Sequence, residues 1–307
     1  MTSFVFPGQG SQYIGMAKDF NDNFKYAKLI FEEIEDYTNI DIRNKIFNNE
    51  DKTLDVTRYT QICIFATSYV IFKTFIRENN FKIDDINVML GHSLGEYTAL
   101  TCSNKLSLKE CSLILKKRGE LMNNSVSPNL TGMAALLGQD SNYIEKIIIE
   151  NKLNLEIAND NSPIQVVISG KKDEIKKSAE LFLDNKIKRF VELNVSAAFH
   201  SKFMIEAQED LSEEIEKLNF IENNIKIISN YDANIHKDNI IIKKNLQNQM
   251  ANKVNWTGSI KKLEEVGENN IIEIGPNKVL SGLINRISKN FDIVSINQVA
   301  DLKNELK

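Results

Sequence analysis

The sequence predicts an α/β protein in which a larger unit with a mostly parallel sheet carries a smaller inserted unit of β-α-β-β-α-β order. Three observations predict it. Short apolar runs alternate along the chain with amphipathic segments of helical period, the pattern of strands joined by helices. Between about residues 127 and 198 the order becomes strand, helix, two strands, helix, strand, which is the ferredoxin-like arrangement. A Gly-x-Ser-x-Gly pentapeptide, Gly91-His92-Ser93-Leu94-Gly95, falls between a short apolar strand and a helix. The expected division is therefore 1–126 with 199–307 for the larger unit, and 127–198 for the smaller.

Each element has a local reason. Phe4-Val5-Phe6 reads as a first strand, stopped by Pro7-Gly8. Helical patterns follow at 23–37 and 60–78, and Val88-Met89-Leu90 is a strand ending at Gly91. Residues 96–102 and 108–122 read as helices, the second opened by Ser107 as N-cap. In the middle, 132–138 reads as a strand, 142–150 as a helix, 155–158 and 165–169 as strands, 173–183 as a helix and 189–195 as a strand. Beyond it come a helix at 203–218, a strand at 226–229, helices near 246–254 and at 259–266, a strand at 271–274 and a helix at 278–287.

Composition narrows the class. The chain has 307 residues, 42% hydrophobic and 26% charged, with a formal net charge of −4, a balance that suits a globular protein and disfavours non-specific nucleic-acid binding. The first residues lack a basic leader pattern, so no signal peptide is expected. The longest mostly apolar stretch, 62–72, is short for a bilayer span, and no membrane partner is expected. Cys63, Cys102 and Cys111 show no metal-ligand spacing, which suggests buried reduced thiols, a cytoplasmic setting and no metal site. There are only six arginines, which makes each one informative.

The pentapeptide carries the chemistry. A strand-to-helix turn this sharp puts Ser93 in a strained conformation at a helix N-terminus, where backbone N–H groups can stabilise an oxyanion. Its glycines let chains pass closely. A hydroxyl nucleophile needs a base, and the histidines are His92, His200 and His236. His92 adjoins Ser93 on the turn, where neighbours point apart. His236 lies in the polar stretch 232–238 and reads as a solvated loop residue. His200, between a strand and a helix, is the best placed of the three.

These pieces together resemble the malonyl-CoA:acyl-carrier-protein transacylase family, from end to end and in order. The likeness rests on Phe6-Pro7-Gly8-Gln9-Gly10-Ser11-Gln12, on Gly91-His92-Ser93-Leu94-Gly95-Glu96, and on Arg118-Gly119. It continues in Ala158-Asn159 with Asn161 before residues 165–170, in Ala198-Phe199-His200-Ser201, and in Glu273-Ile274-Gly275-Pro276. The resemblance implies an α/β-hydrolase-like larger subdomain, with a cleft against the ferredoxin-like one. It implies Ser93 as nucleophile, His200 as general base, and the Gln9 and Leu94 N–H groups as oxyanion hole. A main-chain carbonyl at Gln249 would orient the histidine in place of a triad acid. Arg118, which its basic helical surroundings alone would mark as a solvated face, would bind the malonyl carboxylate. Asn159, Phe199 and Gln61 would line the substrate site. Thr60-Gln61-Ile62-Cys63 departs from the family pattern by lacking a proline after the glutamine.

The implied substrate is malonyl-CoA, the implied partner acyl carrier protein, with no cofactor and a monomeric enzyme. Fatty acid synthesis is the expected pathway, with a polyketide acyltransferase or an acyl hydrolase of the same fold as alternatives. Lys186, Lys188 and Arg189 are a candidate docking run for an acidic carrier protein, against the plainer reading of a solvated basic face.

Overall fold

The computed structural model of the chain describes residues 2–127 and 129–303. The chain opens with β1 (Thr2–Phe6), buried along almost its whole length. It continues through α1 (Lys18–Asn23), α2 (Lys25–Thr38), α3 (Ile42–Phe47) and α4 (Thr57–Glu78) to β2 (Ile86–Gly91), α5 (Leu94–Cys102) and α6 (Leu108–Asn124). The middle holds β3 (Thr131–Leu137), α7 (Ser141–Glu150), β4 (Leu155–Ser162), β5 (Gln165–Lys171), α8 (Lys172–Asp184) and β6 (Arg189–Glu192). The last part runs through α9 (Ile205–Glu216), β7 (Lys226–Ile228), β8 (Ile235–His236), α10 (Asn239–Gln247) and β9 (Val254–Asn255). It ends with α11 (Trp256–Glu265), β10 (Asn270–Ile274), α12 (Val279–Ile287) and β11 (Asp292–Ile296).

Two sheets result. The larger has the order β11-β10-β1-β2-β7-β8. All its pairs are parallel except β7 with β8. Strands buried on both faces need continuous apolar runs, and Phe4-Val5-Phe6 in β1 and Val88-Met89-Leu90 in β2 supply them. The smaller sheet has the order β6-β3-β5-β4-β9. Its first four strands are antiparallel, in the ferredoxin-like order, with α7 and α8 as the intervening helices. The short β9 comes from the last third of the chain and pairs in parallel with β4, Asn159 opposite Val254. That pairing stitches the two sheets together.

Helix α4 packs its aromatic face on β1: the Phe4 ring meets Phe72 and Phe75 edge-on, with centroids 5.7 and 5.9 Å apart. At 22 residues it is long and apolar enough to cross a bilayer, which the run 62–72 understated because Thr57, Thr60 and Thr74 interrupt the apolar pattern. Those threonines are buried, and Thr60 and Thr74 each donate to a backbone carbonyl one turn earlier. Its most apolar stretch is 83% buried inside the fold, which makes it a core helix.

Two expectations are corrected. The helix expected near 246–254 lies earlier, at Asn239–Gln247, because Asp238 caps it by accepting from the Ile240 and Ile241 N–H groups. The strand expected over 189–195 stops at Glu192; the Leu193 N–H still bonds the Met133 carbonyl of β3, and the chain turns away by Val195. Both differences matter at the site. Helices α1 and α3 and the edge strand β11 were not anticipated; all are short, and β11 is only half-buried.

Candidate active site

Ser93 sits at the end of β2, one residue before α5, with φ 53° and ψ −108°. This is the strained elbow, and the glycines explain how it closes. A Cβ on Gly91 would lie 2.0 Å from the Gly95 carbonyl carbon, and one on Gly95 would lie 2.1 Å from the Phe6 carbonyl oxygen. Strain of this kind persists only when the surroundings hold it. Here the Asn230 side chain does so, accepting from the Ser93 N–H at 2.6 Å and donating to the Gly91 carbonyl at 2.6 Å. The Ser93 N–H is thereby occupied.

The Ser93 hydroxyl lies 2.9 Å from His200 Nε2. On the far side of the ring, Nδ1 is 3.1 Å from the carbonyls of both Gln249 and Asn252. Carbonyl oxygens only accept, so Nδ1 carries the proton and Nε2 is left to accept from the hydroxyl. These carbonyls can face the ring because α10 ends at Gln247, and the Gln249 carbonyl carries besides only a long bond, 3.4 Å, from the Asn252 N–H. Had the helix run to 254, the Gln249 carbonyl would have been spent on an N–H one turn later. Burial, with the Arg118 charge second, pushes His200 down to about 3, so the ring is neutral at physiological pH.

Arg118 is wholly buried on α6. Its Nη1 donates to Gln61 Oε1 at 2.6 Å, and its Nη2 to Ser93 Oγ at 3.0 Å and Gln249 Oε1 at 2.9 Å. The guanidinium carbon lies 5.4 Å from the centre of the Tyr97 ring. Nε–H makes no close hydrogen bond among the described residues. Among the described residues no carboxylate comes within ion-pair distance of it. Gln61 is held in turn, its amide nitrogen 3.1 Å from Met122 Sδ, so the missing proline leaves this end of α4 well fixed.

These groups surround a cleft of about 100 Å³ lined by Gln9, Gln61, Ser93, Leu94, Arg118 and His200. His92, Asn159, Phe199, Met122, Met133, Leu193 and Val195 complete it. The sequence-predicted residues Ser93, His200, Gln9, Leu94, Arg118, Gln61, Asn159 and Phe199 thus all meet in one cavity, and Gln249 stands behind it. The Gln9 side chain donates to Thr57 Oγ1 at 3.3 Å. Among the described residues no cluster of three or more His, Cys, Asp or Glu converges as a metal cage would.

Sequence reasoning missed several participants. Asn230 lies just past the C-terminal end of β7, the strand beside β2, where open parallel sheets gather their functional side chains; that rule could have found it. Glu96, quoted only as part of a motif, is wholly buried. Met122, Met133, Leu193 and Val195 gave no signal beyond apolar character. The other histidines are also placed. His92 Nε2 is 2.8 Å from Asn161 Oδ1, its ring turned from the Ser93 hydroxyl toward Trp256. His236 corrects its reading as a solvated loop residue: it lies in β8, half-buried, with Nε2 2.7 Å from Asp232 Oδ2.

Comparison with known proteins gives the family and the fold. The model of the acyl transferase domain family matches residues 3–306. The chain is 34% identical over 297 residues to a malonyl CoA-acyl carrier protein transacylase of Bacillus subtilis (strain 168), covering 96% of this chain and 92% of that one. It is 38% identical over 291 residues to the polyketide biosynthesis malonyl CoA-acyl carrier protein transacylase PksC of the same organism, covering 94% and 98%. A solved malonyl-transacylase in complex with its type II PKS acyl-carrier protein superposes with a TM-score of 0.93 at 31% identity, over 98% of this chain and 97% of that one.

Proposed function

The chain belongs to the acyl transferase domain family, among malonyl CoA-acyl carrier protein transacylases, and from that premise we propose that it moves malonyl groups from malonyl-CoA to the pantetheine thiol of an acyl carrier protein. One observation carries the reading furthest. A fully buried arginine, with no carboxylate in ion-pair contact among the described residues, shares a small cleft with a Ser–His pair and touches the serine oxygen. A buried cation without a carboxylate in direct contact costs several kcal/mol, and an anionic acyl group in the cleft can make that contact. An acyl hydrolase handling neutral chains has no such use for Arg118.

In this reading the Ser93 oxygen attacks the thioester carbon as its proton passes to His200 Nε2. The carbonyl oxygen becomes an oxyanion facing the Leu94 and Gln9 N–H groups, since Asn230 occupies the Ser93 N–H. Collapse breaks the C–S bond, and the His200 proton goes to the leaving CoA sulfur. The carrier-protein thiol then attacks the malonyl-serine ester by the same steps in reverse, restoring Ser93. Arg118 pairs with the malonyl carboxylate and fixes the reacting carbonyl over Ser93. The Gln249 and Asn252 carbonyls hold His200 in the tautomer this requires. We place the enzyme in the cytoplasm as a monomer, its residues 127–198 forming one wall of the cleft as a subdomain. Fatty acid synthesis is our first pathway, and the polyketide relatives keep that alternative open.

The test is mass spectrometry of the intact protein. Malonyl-CoA alone should add one malonyl group, mapped to Ser93, and apo carrier protein should leave it in place while holo carrier protein removes it. An adduct elsewhere would overturn the scheme.

A further inference from the structure

Behind the nucleophile lies a buried carboxylate that the transfer steps do not use. Glu96, on the first turn of α5, has one oxygen, Oε2, accepting from the Asn230 N–H at 3.0 Å and from Gln249 Nε2 at 2.7 Å. Its other oxygen, Oε1, makes no close hydrogen bond among the described residues. Gln249 is the link to the site: the same amide that donates to Glu96 accepts from Arg118 Nη2 at 2.9 Å. The carboxylate and the guanidinium therefore stand one amide group apart, both wholly buried. The other charged or titratable groups facing Glu96 are Asp232 beyond β7 and Tyr97 on its own helix, with His200 on the far side of Gln249. Arg118 is the cation among them.

We propose that Glu96 is the resting counter-charge of Arg118, and that it takes up a proton when the malonyl carboxylate enters and replaces it in that role. This rests on the reading that the malonyl carboxylate pairs with Arg118. The reason is charge balance in a low-dielectric interior. One buried cation is compensated by one carboxylate, and a second would leave a net negative charge with no water to solvate it. Oε1 is the atom that receives the proton. Ser229, whose buried hydroxyl faces this carboxyl and favours its charged form, makes no close hydrogen bond among the described residues and can turn to accept from the protonated group. Burial already pushes Glu96 up to about 7, so the group is poised for such an exchange near neutral pH. A second anion one amide further away changes its acid dissociation constant about tenfold.

The acyl transfer to Ser93 is itself proton-neutral, because the serine proton leaves on CoA. At pH 7.5 and in weak buffer, a pH-indicator dye should therefore report uptake of about half a proton per serine malonylated. Acetyl-CoA loading should give an adduct with no uptake. Glu96→Gln, which keeps an oxygen to accept both N–H groups, should form the malonyl adduct with no uptake. Malonyl adduct without uptake in the wild type, equal uptake with acetyl-CoA, or undiminished uptake in Glu96→Gln would each overturn the proposal. The acetyl comparison decides it even if the variant does not fold. Absence of any malonyl adduct on the same sample would remove the transacylase reading instead.

Discussion

The two walls of the cleft are built on different principles. The wall on the larger sheet is a web of directional bonds, in which Ser93, His200, Arg118 and Gln249 each touch at least two of one another or of their supports. The wall on the smaller sheet is mostly Met133, Leu193 and Val195, side chains that offer dispersion and shape but no direction, with Asn159 of β4 as its polar member. A hydrogen-bonded web transmits a one-atom error to every member, whereas an apolar surface yields locally. On this contrast the first wall should govern rate and the pairing of the acyl carboxylate, and the second the room left for the acyl carbons.

The largest effect should come from the web's centre. His200→Ala removes the proton acceptor for Ser93 and should lower malonyl transfer by at least about 10³-fold, whereas His92→Ala and His236→Ala should cost far less. A rate ordering led by His236→Ala would break the comparison. The same residue has a stability signature with a definite sign. Its folded value of about 3 lies below the usual 6.5, so between those values the unfolded chain binds the extra proton. Stability is lost as pH falls through that window and is unaffected above it. Between pH 7 and pH 4 the wild type should lose about 3 kcal/mol more than His200→Ala in denaturant titrations.

Next comes Arg118. A charge-assisted pair contributes roughly 1.5–3 kcal/mol, so Arg118→Ala should cut kcat/KM for malonyl-CoA about 10- to 100-fold relative to acetyl-CoA. Losing the cation also relieves the second-largest cause of the His200 depression, which makes the base stronger and favours the acetyl reaction. Arg118→Lys should recover only part of the malonyl preference, because a point charge cannot form two parallel bonds. Equal losses on both substrates would assign Arg118 to the web alone.

What the sequence disclosed follows the same division. The Ser93 elbow was legible because its physics is local, with glycines two residues to either side and a strand and helix adjoining. Residues alone left His200 the best of three histidines, and family resemblance rather than spacing pointed to Arg118 and Gln249. Asn230 and Glu96 stayed hidden because their bonds span 137 residues to Ser93 and 153 to Gln249, distances at which no periodicity speaks. The displaced helix α10 shows the cost of reading polarity as loop. Asp238 in the stretch 232–238 is its N-cap, and its early end lets the Gln249 and Asn252 carbonyls face His200. On the apolar wall, Leu193 and Val195 read as strand in the sequence because apolar character alone does not say where a strand stops.

The smallest effect on rate, and the sharpest test of the apolar wall, is at Met133. Its side chain lines the cleft from β3, nearly buried, and makes no hydrogen bond that supports the web. The cleft is small, about 100 Å³, and Met133 narrows it on the apolar side, so a branched acyl group should be opposed there by shape rather than by charge. Met133→Ala should remove that obstacle while leaving Arg118, Ser93 and His200 in place. Malonyl-CoA kcat/KM should change by no more than about threefold, whereas that for a malonyl-CoA with an added α-methyl group should rise about tenfold, the worth of one methyl in an apolar pocket. Stability should fall by about 2–4 kcal/mol, as for other buried methionine truncations. The measurement is kcat/KM for both thioesters, with a denaturation curve on the same preparation. A hundredfold loss on malonyl-CoA from a folded Met133→Ala would show that the apolar wall also sets the reacting geometry, and the contrast between the walls would fail.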